Sequence, residues 1–145
     1  MTTTVVCRTI HASPERVFEV VADVRNFQRA APHVVKVEFL TDSEVGLGTR
    51  FRETRVMNGR QASTELEVTE YVANERVRLT ADSHGTVWDS LFTVKPAGDG
   101  QTELRLVMEA RAHKLLPRLV NPLIRGVVQK AIEKDLDAVK HYCET

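Results

Sequence analysis

The order in which hydrophobic periodicities follow one another constrains this chain most. One short strand leads into a capped helix halted at a proline, then comes a long run that is strand throughout, and a single long amphipathic helix closes the sequence. Val5 to Ile10 reads as the first strand. Ser13-Pro14-Glu15 opens a helix, with Ser13 as N-cap, Pro14 where its missing N–H is no loss, and Glu15 against the positive helix end. Val17, Val20, Val21 and Val24 then recur at i, i+3, i+4 and i+7, which makes one buried stripe. From Pro122 onward Leu123, Ile124, Val127, Val128, Ala131, Ile132, Leu136, Val139 and Tyr142 or Cys143 repeat that spacing, with Lys130, Glu133, Lys134, Asp137 and Lys140 opposite.

The middle of the chain predicts its own register. In Met57-Asn58-Gly59-Arg60 the Asn-Gly pair supplies the two positive φ angles of a type I′ turn, so the flanking strands join directly. Pairing Met57 with Arg60 sets Arg52 opposite Glu65 and Arg50 opposite Glu67, two opposite-charge pairs on a solvent face. The other face then carries Phe51 opposite Leu66, Glu53 opposite Thr64 and Arg55 opposite Ala62, so two charges point toward the core. Val77, Leu79 and Ala81, then Trp88, Ser90, Phe92 and Val94, then Leu104, Leu106, Met108 and Ala110 alternate as half-buried antiparallel strands do, Val107 being the exception. With Val34 to Thr41 the pattern yields about seven strands and the order β-α-α-β-β-β-β-β-β-α.

Composition narrows the class. A chain of 145 residues, 42% apolar, suits one domain with a core of its own. Twenty basic and twenty acidic residues cancel, so no positive field exists for phosphate backbones, and nucleic acid is not an expected partner. Met1-Thr2-Thr3-Thr4 lacks the features of a signal peptide and no apolar run approaches the ~20 residues of a membrane span, so the expected location is the cytoplasm. Cys7 and Cys143 have no C-x-x-C spacing and are expected to be reduced and buried. His11, His33, His84, His113 and His141 show no paired-ligand spacing, so surface or hydrogen-bonded histidines are expected rather than a metal site. Gly46-Leu47-Gly48 precedes a strand rather than a helix and reads as a turn or bulge, not a dinucleotide fingerprint. No serine nucleophile elbow is present.

Four stretches together resemble the START/polyketide-cyclase (SRPBCC) superfamily, and most of all its small bacterial polyketide cyclase/dehydrase branch. They are Ile10-His11-Ala12-Ser13-Pro14-Glu15-Arg16-Val17-Phe18 with Asp23, Gly46-Leu47-Gly48-Thr49-Arg50, Gly100-Gln101-Thr102-Glu103-Leu104, and Val139-Lys140-His141-Tyr142-Cys143-Glu144. The resemblance implies the helix-grip fold shared with the birch-pollen allergen. That is an α+β domain over residues 1–145 with a seven-stranded curved antiparallel sheet wrapped around the C-terminal helix and two short helices between strands 1 and 2. It further implies a cavity for an apolar or amphiphilic ligand. The matched motifs are structural, so the resemblance carries over no catalytic residue and no cofactor.

The cavity is expected to be lined by Phe51, Leu66, Trp88, Ser90, Phe92 and Leu106 from the sheet and by Val128 and Ile132 from the helix. Glu53 and Arg55 are its polar members: side chains at i and i+2 on one strand face stand ~7 Å apart, close enough to pair or to clamp a polar ligand head. Two readings stand level here, a ligand contact and an ion pair bracing the rim. Trp88 either walls the cavity or packs in the core, while Met57 and Met108 are expected to be core filler. Between Lys114 and Pro122 the last helix starts at Pro117 or at Pro122; either way Leu115, Leu116, Leu119 and Val120 sit near a cavity mouth, where they cover the core, gate entry or touch a membrane transiently. The expected function is binding a small hydrophobic or amphiphilic molecule, lipid-, polyketide- or isoprenoid-like. One alternative is a cyclase/aromatase or dehydratase using Glu53 as acid or base and Arg55 to polarise a carbonyl. A protein-interaction or chaperone-cofactor module is the other.

Overall fold

A computed structural model describes residues 2–83, 85–112 and 122–145, the side chains of 122–124 excepted. The order is β1 (Thr2–Ile10), α1 (Pro14–Ala22), α2 (Val24–Ala30), β2 (Val34–Phe39), β3 (Arg50–Met57), β4 (Arg60–Val72), β5 (Arg76–Ser83), β6 (Thr86–Pro96), β7 (Thr102–Ala112) and α3 (Pro122–Glu144). The strands form one antiparallel sheet in the order β1-β7-β6-β5-β4-β3-β2. This is the helix-grip architecture expected from the sequence. His84, His113, the apolar residues Leu115, Leu116, Leu119 and Val120, and the choice between Pro117 and Pro122 as helix start lie outside the described residues.

Local chemistry sets the element boundaries. Ser13 accepts a hydrogen bond from the Arg16 N–H, with Pro14 in the first turn of α1. Asp23 then stops α1 in an extended conformation and caps α2 in turn, accepting from the Arg25 N–H at 3.0 Å and from the Arg25 guanidinium. One valine stripe is thereby split between two helices, and Val24 opens the second. Asn58 and Gly59 both have positive φ, 53° and 76°, as a type I′ turn requires, and Met57 pairs with Arg60. The register follows: Arg52 meets Glu65 at 2.6 Å on the outer face and Phe51 pairs with Leu66 on the inner. Bulges after Val34 and after Val68 add local bend, which a sheet needs if it is to curl around a helix.

The core is tightest around the C-terminal half of α3. Ile10, Leu104, Leu136 and Val139 have no exposed surface. Polar ties hold this half of the helix to β1 and the turn after it. Arg8 Nε donates to Asp137 at 2.6 Å, Lys140 Nζ donates to the Thr9 carbonyl at 2.6 Å, and Glu144 accepts from the His11 N–H at 2.8 Å. The N-terminal half is different. Val127, expected in the buried stripe, is 54% exposed, because that stretch of helix stands over open space instead of packed side chains. Met57, expected as core filler, is likewise exposed, since the hairpin tip carries it past the core edge. Cys7 corrects a third expectation. It is exposed, because Val6 and Ile10 take the inward positions of β1 and strand alternation turns Cys7 out, whereas Cys143 is buried.

The double role of Asp23 is testable. Burial works to raise its carboxyl, but its hydrogen bonds from Arg25 outweigh that and hold it below the ordinary value. A depressed carboxyl contributes stability that is present above the ordinary aspartate value of about 3.9 and is lost as pH falls through the lower, folded-state value. Asp23→Ala should cost about 1 kcal/mol at pH 7 in urea denaturation, with the difference from the parent shrinking in acid below that window. An unchanged midpoint at pH 7 would remove Asp23 as the joint between α1 and α2.

Candidate functional site

Strand alternation brings one face of five strands together. On β3 the inward residues are Phe51, Glu53, Arg55 and Met57; the register then builds rows across the sheet, Phe51 beside Leu66, Ala81 beside Trp88, and Leu79 beside Ser90 beside Met108. Val127, Val128, Ala131, Ile132 and Asp135 of α3 and Val21, Ala22, Val24 and Phe27 of the short helices border the space over these rows. A cavity of about 380 Å³ is left between. Phe51, Glu53, Arg55, Leu66, Trp88, Ser90, Phe92, Leu106, Val128 and Ile132, the ten residues named from the sequence, all border it. Met57 and Val127 border it too and are exposed, so they mark a rim where the space meets solvent. Met108 is part of the wall, as is Trp88, which is half-buried.

The polar members form a larger cluster than the expected pair. Arg55 Nε donates to Glu53 Oε1, and Arg55 Nη1 donates to both carboxylate oxygens of Asp135 on α3, at 2.9 and 3.0 Å. His33, in the link from α2 to β2, brings Nε2 within 2.7 Å of Asp135 Oδ1. The Phe27 ring lies under the guanidinium, 5.8 Å from centroid to carbon. Glu53 is 8% exposed and Asp135 5%. Burial opposes the charge on Arg55, yet the two carboxylates outweigh it and hold the guanidinium above its ordinary value. The backbone of His33 is fixed as well, its carbonyl accepting from the Val56 N–H at 2.9 Å. Its Nδ1 is buried and has no hydrogen-bond partner. With Nε2–H donating to the carboxylate, a neutral ring presents a bare lone pair at Nδ1.

Sequence reasoning missed two members of this cluster. Asp135 had a signal: it lies four residues after Ala131 and three after Ile132, so it occupies the apolar stripe of α3 and not the charged face. A carboxylate in such a stripe needs a buried partner. His33 had none, because a link residue belongs to no period. Among the described residues no group of three or more His, Cys, Asp or Glu side chains is placed to hold a metal ion, and no helix is long and apolar enough to cross a membrane.

Arg55 bridges two buried carboxylates, so its loss leaves both uncompensated. Arg55→Met should lower stability by about 3–5 kcal/mol in urea denaturation. Adding Glu53→Gln alone should recover little, since Asp135 stays charged, while Glu53→Gln with Asp135→Asn should recover most of it. A loss below about 1 kcal/mol for Arg55→Met would mean the cluster is as weakly coupled as a surface pair.

Comparison with known proteins agrees with this geometry. No curated protein matches the sequence. Among solved structures, the Zhui aromatase/cyclase of Streptomyces sp. R1128 superimposes with TM-score 0.81 at 20% identity, covering 99% of this chain and 93% of that one. A START superfamily protein of Mycobacterium smegmatis gives 0.80 at 15% identity, with 98% and 97% covered. A protein of Thermus thermophilus gives 0.79 at 20% identity, with 97% and 95% covered. At such identities the likeness establishes the fold. A family model described as polyketide cyclase / dehydrase and lipid transport matches residues 1–144. The chain therefore belongs to that family, within the START-like SRPBCC superfamily of helix-grip proteins.

Proposed function

We propose that residues 1–145 act as one ligand-binding domain that holds a small hydrophobic or amphiphilic molecule, lipid-, polyketide- or isoprenoid-like, in the space between the sheet and the N-terminal half of α3. The observation that carries this reading is the cavity. At about 380 Å³ it lies within the ~300–1,000 Å³ range of ligand pockets, with largely apolar walls and charge gathered in one cluster. The ten bordering residues named above are its proposed contacts. An interaction module would be better served by a filled core, so the open interior weighs against that alternative.

A second reading, turnover of the bound molecule, is favoured by the likeness to the Streptomyces aromatase/cyclase. It assigns Glu53 to proton transfer and Arg55 to a substrate carbonyl. The geometry weighs for simple binding, because Glu53 and Arg55 are bonded to each other and Arg55 also to Asp135. A group already engaged by its neighbours has less to offer a reacting atom.

The test is binding of prodan, an uncharged fluorescent probe, together with native mass spectrometry of the purified protein for a co-purified small molecule. Prodan should bind saturably at one site. Ala131→Trp, which places an indole in the cavity from α3, should weaken it at least tenfold without lowering the melting temperature. Equal affinity for parent and variant would place the probe outside the cavity and overturn the reading.

A further inference from the structure

We infer that the cavity selects its ligand by the charge of the polar end, taking hydroxyl- or amine-ended amphiphiles and rejecting carboxylate-ended ones. This rests on the proposed binding function and specifies its substrate class. Glu53, Arg55 and Asp135 all border the cavity, so a ligand's polar end placed at this cluster meets two carboxylates and one guanidinium. Among these three groups at the cavity wall, one negative charge is in excess.

The guanidinium would ordinarily recruit a carboxylate or phosphate head. Here that attraction is already answered on two sides, Nε by Glu53 and Nη1 by both oxygens of Asp135. Any anion brought against the same guanidinium also comes close to one or both of those carboxylates. Glu53 and Asp135 are both buried, so two repulsions of that kind are poorly screened and outweigh one attraction. Phe27 occupies one face of the guanidinium, which narrows the approach further.

Hydrogen-bond supply points the same way. Two ionised carboxylates offer about eight lone-pair sites. Arg55 and His33 fill four of them, through Nε, the two bonds from Nη1, and Nε2. Four lone-pair sites stay open against the two N–H groups of Nη2, which none of these bonds engages, so the surplus is acceptor capacity. A hydroxyl or ammonium group supplies the donors that capacity needs, and an ionised carboxylate or phosphate diester supplies none. An ammonium group also cancels the excess charge.

Three decyl compounds of equal chain length isolate the head group: 1-decanol, decylamine and decanoate, each competing below its aggregation limit with bound prodan at pH 8. Decanol and decylamine should displace prodan at concentrations at least tenfold lower than decanoate. Asp135→Asn removes the excess charge, so the gap between decylamine and decanoate should narrow at least fivefold. Should that variant melt too low to assay, Glu53→Gln tests the same charge from the strand side, and if both fail the parent ranking alone decides. Decanoate competing as well as decanol would overturn the inference and leave the binding function standing. The inference also falls if none of the three displaces a probe that binds saturably. A protein that binds no prodan loses the binding function first, and this selection with it.

Discussion

A helix cannot cover the sheet this chain makes. Seven strands at ~4.8 Å spacing span almost 30 Å, whereas a helix with its side chains is ~10–12 Å across. Everything else in the structure is an answer to that mismatch. The two bulges bend the sheet inward, and the short helices take up part of the uncovered width. α3 packs fully only along its second half, where Leu136 and Val139 are sealed against β1 and β7 residues such as Ile10 and Leu104. Ahead of that, the surplus width remains as empty volume. The cavity is thus what is left when one helix serves seven strands, and its position is fixed by where the helix is fastened.

The buried charges do part of that fastening. The C-terminal half of α3 is tied by Arg8, Lys140 and Glu144, but its middle is held by Asp135 reaching Arg55 across the cavity edge. Apolar packing could not serve the same purpose there without filling the space. A charged bridge spans a gap, engages both sides and leaves volume beside it. Its desolvation is costly, which is why each oxygen of Asp135 is hydrogen-bonded and why Glu53 shares the guanidinium. His33 adds a second donor and, through its carbonyl on Val56, joins the helix to the strand that carries Arg55.

Much of this was legible in the residues. Alternation fixed which side of each strand faces inward, and Asn58-Gly59 fixed the pairing so completely that the inward placement of Glu53 and Arg55 followed from turn geometry alone. Ser13-Pro14 located α1. Periodicity does not tell a stripe that packs from one that merely faces inward, so it predicts a buried Val127 where the structure has an exposed one. It also overlooks a polar residue among apolar ones, which hid Asp135, and it has no purchase on a link residue such as His33. The missing C-x-x-C spacing separates Cys7 from ligand and redox cysteines but does not say which face it takes, and its neighbours in β1 claim the inner one.

The separation between sealed and open halves of α3 bears on how such a chain can change over time. Residues with no exposed surface, Ile10, Leu104, Leu136 and Val139, sit where the helix is fastened, and large-to-small changes there cost ~2–5 kcal/mol for Leu or Ile, enough to threaten a marginally stable fold. Several wall residues, Leu66, Trp88, Val128 and Ala131 among them, are only half-buried and border empty space. Replacing one of those neither opens a new void in a packed core nor strains one. Substitutions that reshape the interior are therefore cheap while those that loosen the grip are expensive. Sequence drift can explore new interior shapes along the wall with the architecture held constant, and the same scaffold can be re-lined by design without being refolded.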